Sequence, residues 1–215
     1  MAKDPRRAQK AAQKRRPREQ LIRREKSLRK SRVQGQGSGR LLSSARDLPV
    51  VECIISQGWR ERGLAHILLA RDLGDGHFVV GGYFLDTLCL GLKDTAALPR
   101  VEREEYESNV KPNIFNDTVE FEAVKPGFAR GLVEGAMKYA EGLGFRPSRR
   151  WAESRKVWSG IEAQPVDVEF GRGGHPCLIL RDGENLRGAI ARLERTLKPG
   201  MYEIVDQRRL EEGVG

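Results

Sequence analysis

The chain has 215 residues, 39 Lys or Arg against 30 Asp or Glu, and a formal net charge of +9. An apolar content of 39% supports a folded domain, and no run approaches the roughly 18 apolar residues of a membrane-spanning helix. Cys53, Cys89 and Cys177 are odd in number and far apart, which argues against a disulfide framework and predicts buried thiols in a reducing compartment.

The charge is concentrated at one end. Residues 1–40 hold fifteen Lys or Arg and only three acids (Asp4, Glu19, Glu25), a local net of +12, so residues 41–215 carry a net of −3. A segment of this kind is drawn to polyanions such as RNA, DNA or an anionic membrane surface. Pro5 and Pro17 interrupt stretches of good helix formers, and the dense like charge predicts disorder in isolation and helix only against a polyanion. Gln34 to Gly39 reads as a flexible linker. The first residues lack the apolar stretch of a secretory signal, so a cytoplasmic protein is expected.

The body then begins near Leu41. Strands are predicted at Val50 to Ser56, Leu64 to Leu73 and Phe78 to Leu88, the last two joined by the hairpin turn Gly74-Asp75-Gly76. Gly81 and Gly82 suggest a bulge or a close backbone approach in the third strand. Arg100 to Tyr106 reads as an exposed helical turn or loop. Asp117 to Val124 fits a short helix capped by Asp117, although alternating Val119, Phe121 and Ala123 also fit a strand. Phe128, Leu132, Val133, Ala136, Tyr139, Ala140 and Leu143 repeat at helical spacing over 127–143, with Gly142 and Gly144 as its end.

Ser148 can cap a second helix carrying Trp151 and Trp158. A strand is predicted at Val166 to Phe170, a turn at Gly171 to Gly174 and a strand at Pro176 to Leu180. Asn185 to Leu197 is an amphipathic helix stopped by Lys198-Pro199-Gly200, and Met201 to Val205 is a last strand. The order predicts an α+β fold with a mixed, largely antiparallel sheet and packed helices. It forms one domain over 41–215, or two lobes, about 41–125 and 126–215, sharing a core.

The stretches GLAHILLARDLGDGHFVVGGYFLDTLCLGLKDT, GLVEGAMKYAEGLGFRPS and VEFGRGGHPCLI…LERTLKPGMYEIV resemble a family of uncharacterised bacterial proteins over most of residues 50–205. The run from Leu85-Asp86 to Leu90-Gly91-Leu92-Lys93-Asp94 is the most distinctive part. No activity is established for that family, so the resemblance implies a bacterial body domain and assigns no site.

The candidate catalytic residues are Asp86, Asp94, Glu120 and Glu122. An acid near the end of a buried strand, paired with a second carboxylate, suits Mg²⁺ held by oxygen ligands in a hydrolase or nuclease. The competing reading has Asp86 bonding neighbouring backbone amides and Asp94 shaping the following turn. Cys89 as a nucleophile needs a base such as His66 or His175, and no motif brings them together. His175 and Cys177 supply at most two ligands of a zinc site. The Gly171-Arg172-Gly173-Gly174 run lacks the phosphate-loop pattern, so neither a metal nor a cofactor is expected.

The nucleic-acid-binding candidates are Arg6, Arg7, Lys10, Lys14, Arg15, Arg16, Arg18, Arg23, Arg24, Lys26, Arg29, Lys30 and Arg32 in the basic segment. Arg149 and Arg150 join them from the body. Arginines beside Trp151 and Trp158 suit RNA, but the seven-residue spacing of the tryptophans also places both on one core-facing side of a helix. The expected function is non-catalytic association with RNA or a ribosomal particle, with DNA as a further partner. A metal-dependent hydrolase and a module docking on an acidic protein are the alternatives.

Overall fold

A computed structural model of the chain describes residues 38–115, 120–180 and 185–206. The backbone divides into two units, Met1–Arg40 and Leu41–Gly215. The basic candidates from Arg6 to Arg32, and Asp117, lie outside the described residues.

The body is an α+β fold built on a five-stranded antiparallel sheet of order β4-β3-β2-β1-β5. The strands are β1 (Val50–Ser56), β2 (Leu64–Asp72), β3 (His77–Asp86), β4 (Gly91–Glu102) and β5 (Phe121–Ala123). Helix α1 (Ser38–Ser43) precedes them, and α2 (Trp59–Arg62) links β1 to β2. Gly74 and Gly76 turn the β2–β3 hairpin at φ of 80° and 79°, a conformation that glycine adopts without strain.

The sequence pattern predicts no strand over 91–102, yet β4 occupies that whole stretch. Two bulges hide it. Phe84 pairs with Asp94 but Leu85 with Leu92, and Phe78 pairs with Val101 but Val80 with Leu98. Each shift breaks the two-residue alternation by which a strand is recognised. Pro99 falls in the second bulge on an edge strand, where its missing N–H costs no ladder bond.

Both sheet faces are covered. One face carries Cys53, Ile55, Ile67, Leu69, Val79, Tyr83 and Leu85, packed on the long helix α4 (Pro126–Gly142) and on Val157 and Trp158. The other carries Ile54, Leu68, Ala70, Phe78 and Val80, packed on Tyr106 and Val110. Those two residues belong to a helical run of three pieces, Arg103–Glu105, the π-type Tyr106–Val110, and Lys111–Phe115, together α3. Pro112 has no N–H to return to the carbonyl four residues back, and just before it Lys111 bonds the carbonyl of Tyr106 five residues back. The sequence pattern places Tyr106 at the end of an exposed turn or loop. The structure instead buries this ring, edge-on to Phe78 at 5.2 Å, as the anchor of the run.

Gly81 and Gly82 mark a close approach, with no bulge at either residue. A Cβ on Gly81 would lie 2.4 Å from the Tyr83 hydroxyl oxygen, so the bare backbone makes room for that side chain.

After α4, Gly144 takes φ 82° and turns the chain. Helix α5 (Trp151–Ser154) runs into a 3₁₀ turn, Arg155–Trp158. The strand predicted at Val166 to Phe170 is absent: the segment pairs with no strand. It lies instead along α4, where Gly127, Gly131 and Gly135 leave room for Gln164, Val166 and Phe170. Alternating Val166, Val168 and Phe170 half-bury their side chains on the core that includes α4, which yields a strand-like pattern without a ladder.

Two further strands, β6 (Cys177–Leu180) and β7 (Glu203–Asp206), pair in parallel. The helix between them, α6 (Arg187–Thr196), packs through Leu193 on Cys89, Leu143 and Leu178. Among the described residues, no helix is long and apolar enough to cross a membrane.

Candidate nucleic-acid interface

The carboxylates proposed for catalysis are separated by the sheet. Asp86 ends β3, whereas Glu122 lies on β5 and the Glu120 carbonyl accepts the N–H of Gln57 beside it. Strands β2 and β1 intervene, and three interstrand steps amount to about 14 Å. Ligands of one ion each sit only about 2–2.6 Å from it. Asp94 is turned elsewhere, accepting the N–H of Thr95 at 2.8 Å and facing Arg150 Nη1 at 3.5 Å. No three His, Cys, Asp or Glu side chains among the described residues gather in a way that could hold a metal ion.

Asp86 itself is buried at 2% exposure, and its Oδ1 accepts the N–H groups of Leu88 at 3.0 Å and Cys89 at 2.9 Å. That geometry closes the tight β3–β4 connection, and Thr87 ties it to the carbonyl of Gly63. Burial first, then the nearby Asp86 and Cys177, pushes the Cys89 thiol up to about 12. A thiol held protonated at neutral pH is a poor nucleophile. His66 stacks on Phe84 at 4.5 Å, and His175 closes the Gly171–Gly174 turn by a bridge with Arg172.

The tryptophans belong to the core. Trp158 is 1% exposed and packs on Tyr83 at 4.9 Å, while Trp151 meets the same ring edge-on at 6.2 Å. Tyr83 completes the cluster by donating its hydroxyl to the Ser154 carbonyl at 2.9 Å. With both indoles turned inward, the charged side chains of this segment face out: Arg146, Arg149, Arg150 and Arg155 are exposed, and Lys156 is half-buried.

Sequence reasoning missed the residue that organises this region. Arg71 projects from β2 into the core at 2% exposure. Its guanidinium donates to the carbonyls of Val157 (2.8 Å), Ala45 (2.6 Å), Leu48 (2.7 Å) and Ser159 (2.6 Å). Burial lowers its pKa from the ordinary arginine value, an effect opposed by Tyr83. The signal lay in the sequence, since Arg71 alternates with Ile67 and Leu69 on an inward face, but a lone arginine there discloses no partner. The consequence is a junction: the 3₁₀ turn Ala45–Asp47 is held against the 3₁₀ turn Arg155–Trp158, and the backbone of Arg46 runs beside Gly160.

A second polar cluster sits on the other face. Glu52 accepts hydrogen bonds from the Tyr106 hydroxyl and from Lys111 Nζ, the latter at 2.7 Å. The three groups satisfy one another and fasten α3 to β1. Comparison with protein-family models, with curated proteins and with solved structures finds no match.

Proposed function

We propose that this protein associates with RNA, free or in a ribosomal particle, without catalysing a reaction, in the cytoplasm of a bacterium. The observation that carries this reading is the charge distribution, +12 within residues 1–40 on a body of −3. Such a segment binds phosphates by displacing counterions, which is insensitive to sequence and sensitive to salt. Arg149 and Arg150, exposed on the body, fit the same chemistry. The reading also agrees with the engagement of Asp86 in a turn and the burial of all three thiols. After Met1 the basic segment carries only Leu21, Ile22 and Leu28 as large apolar residues before Val33, which favours a nucleic acid over a lipid surface.

The test is binding of a labelled single-stranded oligoribonucleotide to the full chain between 50 and 200 mM salt. With six to ten phosphates engaged, affinity falls by about 10²- to 10⁴-fold across that range, from a slope of about −0.7 per phosphate for single strands. A chain whose fifteen basic residues in 1–40 are replaced by Gln loses most of this binding. A flat salt response, or unchanged binding by the Gln variant, overturns the reading. Density-gradient sedimentation of a lysate, with and without ribonuclease, identifies the particle.

A further inference from the structure

The geometry points to a second phosphate-binding surface, on the body, at the site where the basic segment is attached. This inference rests on the RNA association proposed above. The chain passes from residue 40 into the body at Leu41, and Leu42 and Ala45 are both fully buried. Arg71 then pins the carbonyls of Ala45 and Leu48 beside those of Val157 and Ser159. The attachment point is thereby fixed next to the segment that carries Arg149, Arg150, Arg155 and Lys156.

These four residues span eight positions, whose seven steps amount to about 10 Å at helical rise. Arg46, also exposed, joins them from the facing turn. Against these five bases stand the exposed acids Asp47 and Glu153, with Asp94 at 3.5 Å from Arg150. Four of the five bases are arginines, whose planar fork of donors matches a phosphate in two-point contact. The surface is rigid because its underside is the Tyr83–Trp151–Trp158 ring cluster.

The chemistry of recognition is therefore that of a phosphodiester chain. Exposed guanidinium groups at this spacing can each take a successive phosphate of one strand.

The experiment uses the full chain throughout. Arg149→Gln/Arg150→Gln/Arg155→Gln is compared with Arg172→Gln/Arg187→Gln/Arg195→Gln, which removes the same charge from exposed positions elsewhere. Arg172 lies in the turn that bonds Thr87, about 26 Å along β3 from the neighbour of Arg71. With three phosphates no longer neutralised, the first variant has a salt slope shallower by about 2, and its fall in affinity between 50 and 200 mM salt is about 20-fold smaller than that of the unmodified chain.

The control triple keeps the original slope, and both variants keep the melting temperature of the unmodified chain. Equal effects of the two triples, or none from the first, overturn the inference while leaving segment-borne binding intact. If the unmodified chain binds no RNA, the proposed function itself fails. Binding to vesicles containing phosphatidylserine in place of RNA overturns the choice of nucleic acid.

Discussion

The guanidinium of Arg71 holds the carbonyl oxygen of Ala45 at 2.6 Å across 26 residues of chain. A buried arginine is ordinarily matched by a carboxylate. Here four backbone carbonyls satisfy it, all from two segments with little regular structure of their own. The Ala45 carbonyl also accepts the Leu48 N–H within its 3₁₀ turn, and for the carbonyls of Leu48, Val157 and Ser159 the side chain takes the place of secondary structure.

Replacing Arg71 by Met keeps the apolar stem and removes the donors. The variant is expected to lose about 1–3 kcal/mol or more, because the buried Val157 carbonyl is left without a partner and the part-buried carbonyls of Leu48 and Ser159 lose theirs. Arg71→Lys is expected to fall between the two, since an ammonium offers three donors and no planar fork. Urea denaturation measures both. A Met variant within about 0.5 kcal/mol of the parent, well below one such penalty, would sink the clamp.

Two glycines of α4 should respond in opposite directions to alanine. A Cβ on Gly131 would lie 1.9 Å from the backbone carbonyl oxygen of Gln164, and a backbone atom yields far less readily than a side chain. Gly131→Ala is expected to displace the 161–170 segment and cost about 3 kcal/mol or more, at the upper end of overpacking effects. A Cβ on Gly142, at the end of the same helix, meets nothing within 4 Å. Gly142→Ala is expected to gain about 0.4–1 kcal/mol by restricting the unfolded chain. Paired thermal melts decide it, and equal melting temperatures would refute the packing described for Gly131.

Asp86 is expected to behave as a turn residue. Asp86→Asn retains an oxygen that can accept the Leu88 and Cys89 N–H groups, whereas Asp86→Ala leaves both buried donors without it. The Ala variant should lose about 1–3 kcal/mol more than the Asn variant in chemical denaturation. The hydrolase alternative predicts a different pattern. Mg²⁺- or Mn²⁺-dependent turnover by the unmodified chain, abolished in Asp86→Asn with the fold intact, would replace the structural role with a catalytic one.

Stability should fall on the alkaline side. Burial, with Glu52 adding to it, pushes the Cys53 thiol up from 9.0 to about 12, and burial does the same at Cys89. Burial also raises the Tyr139 hydroxyl from 10.0 to about 12, and Tyr83 is displaced upward as well. A group whose pKa is higher in the folded state gives its full stabilisation below its unfolded pKa and loses it as pH rises through the folded value. The melting temperature should therefore be steady to about pH 9 and decline between about pH 9 and 12, the window set by those thiols and the Tyr139 hydroxyl. Below that window, the three thiols should be inert to a disulfide reagent until denaturant is added. Fast reaction of the native chain at about pH 8 would contradict their burial.

Much of this protein was legible in the sequence because the signals are local. Val50–Ser56 forms the predicted strand over the same residues, Gly74-Asp75-Gly76 makes the predicted hairpin, and the spacing of Phe128 to Leu143 forms the long helix. Alternation, helical period and glycine turns depend on a few neighbouring residues, whatever surrounds them. The separation of a basic segment from a slightly acidic body likewise needed only counting.

Tertiary structure alone decided the rest. Lys93 and Pro99-Arg100 bulge out of β4, so its pattern resets twice, and only pairing with β3 reveals a strand of 12 residues. Val166 to Phe170 alternates as a strand does, yet its partner is a glycine-lined helix. Whether Asp86 met Glu122 depended on strand order, which no local pattern encodes. Nor could spacing show that Ala45 and Val157 share one guanidinium. That contact places Ala45 beside the Arg155–Trp158 turn, because burying a charged fork leaves it no acceptors except the carbonyls that folding brings within reach.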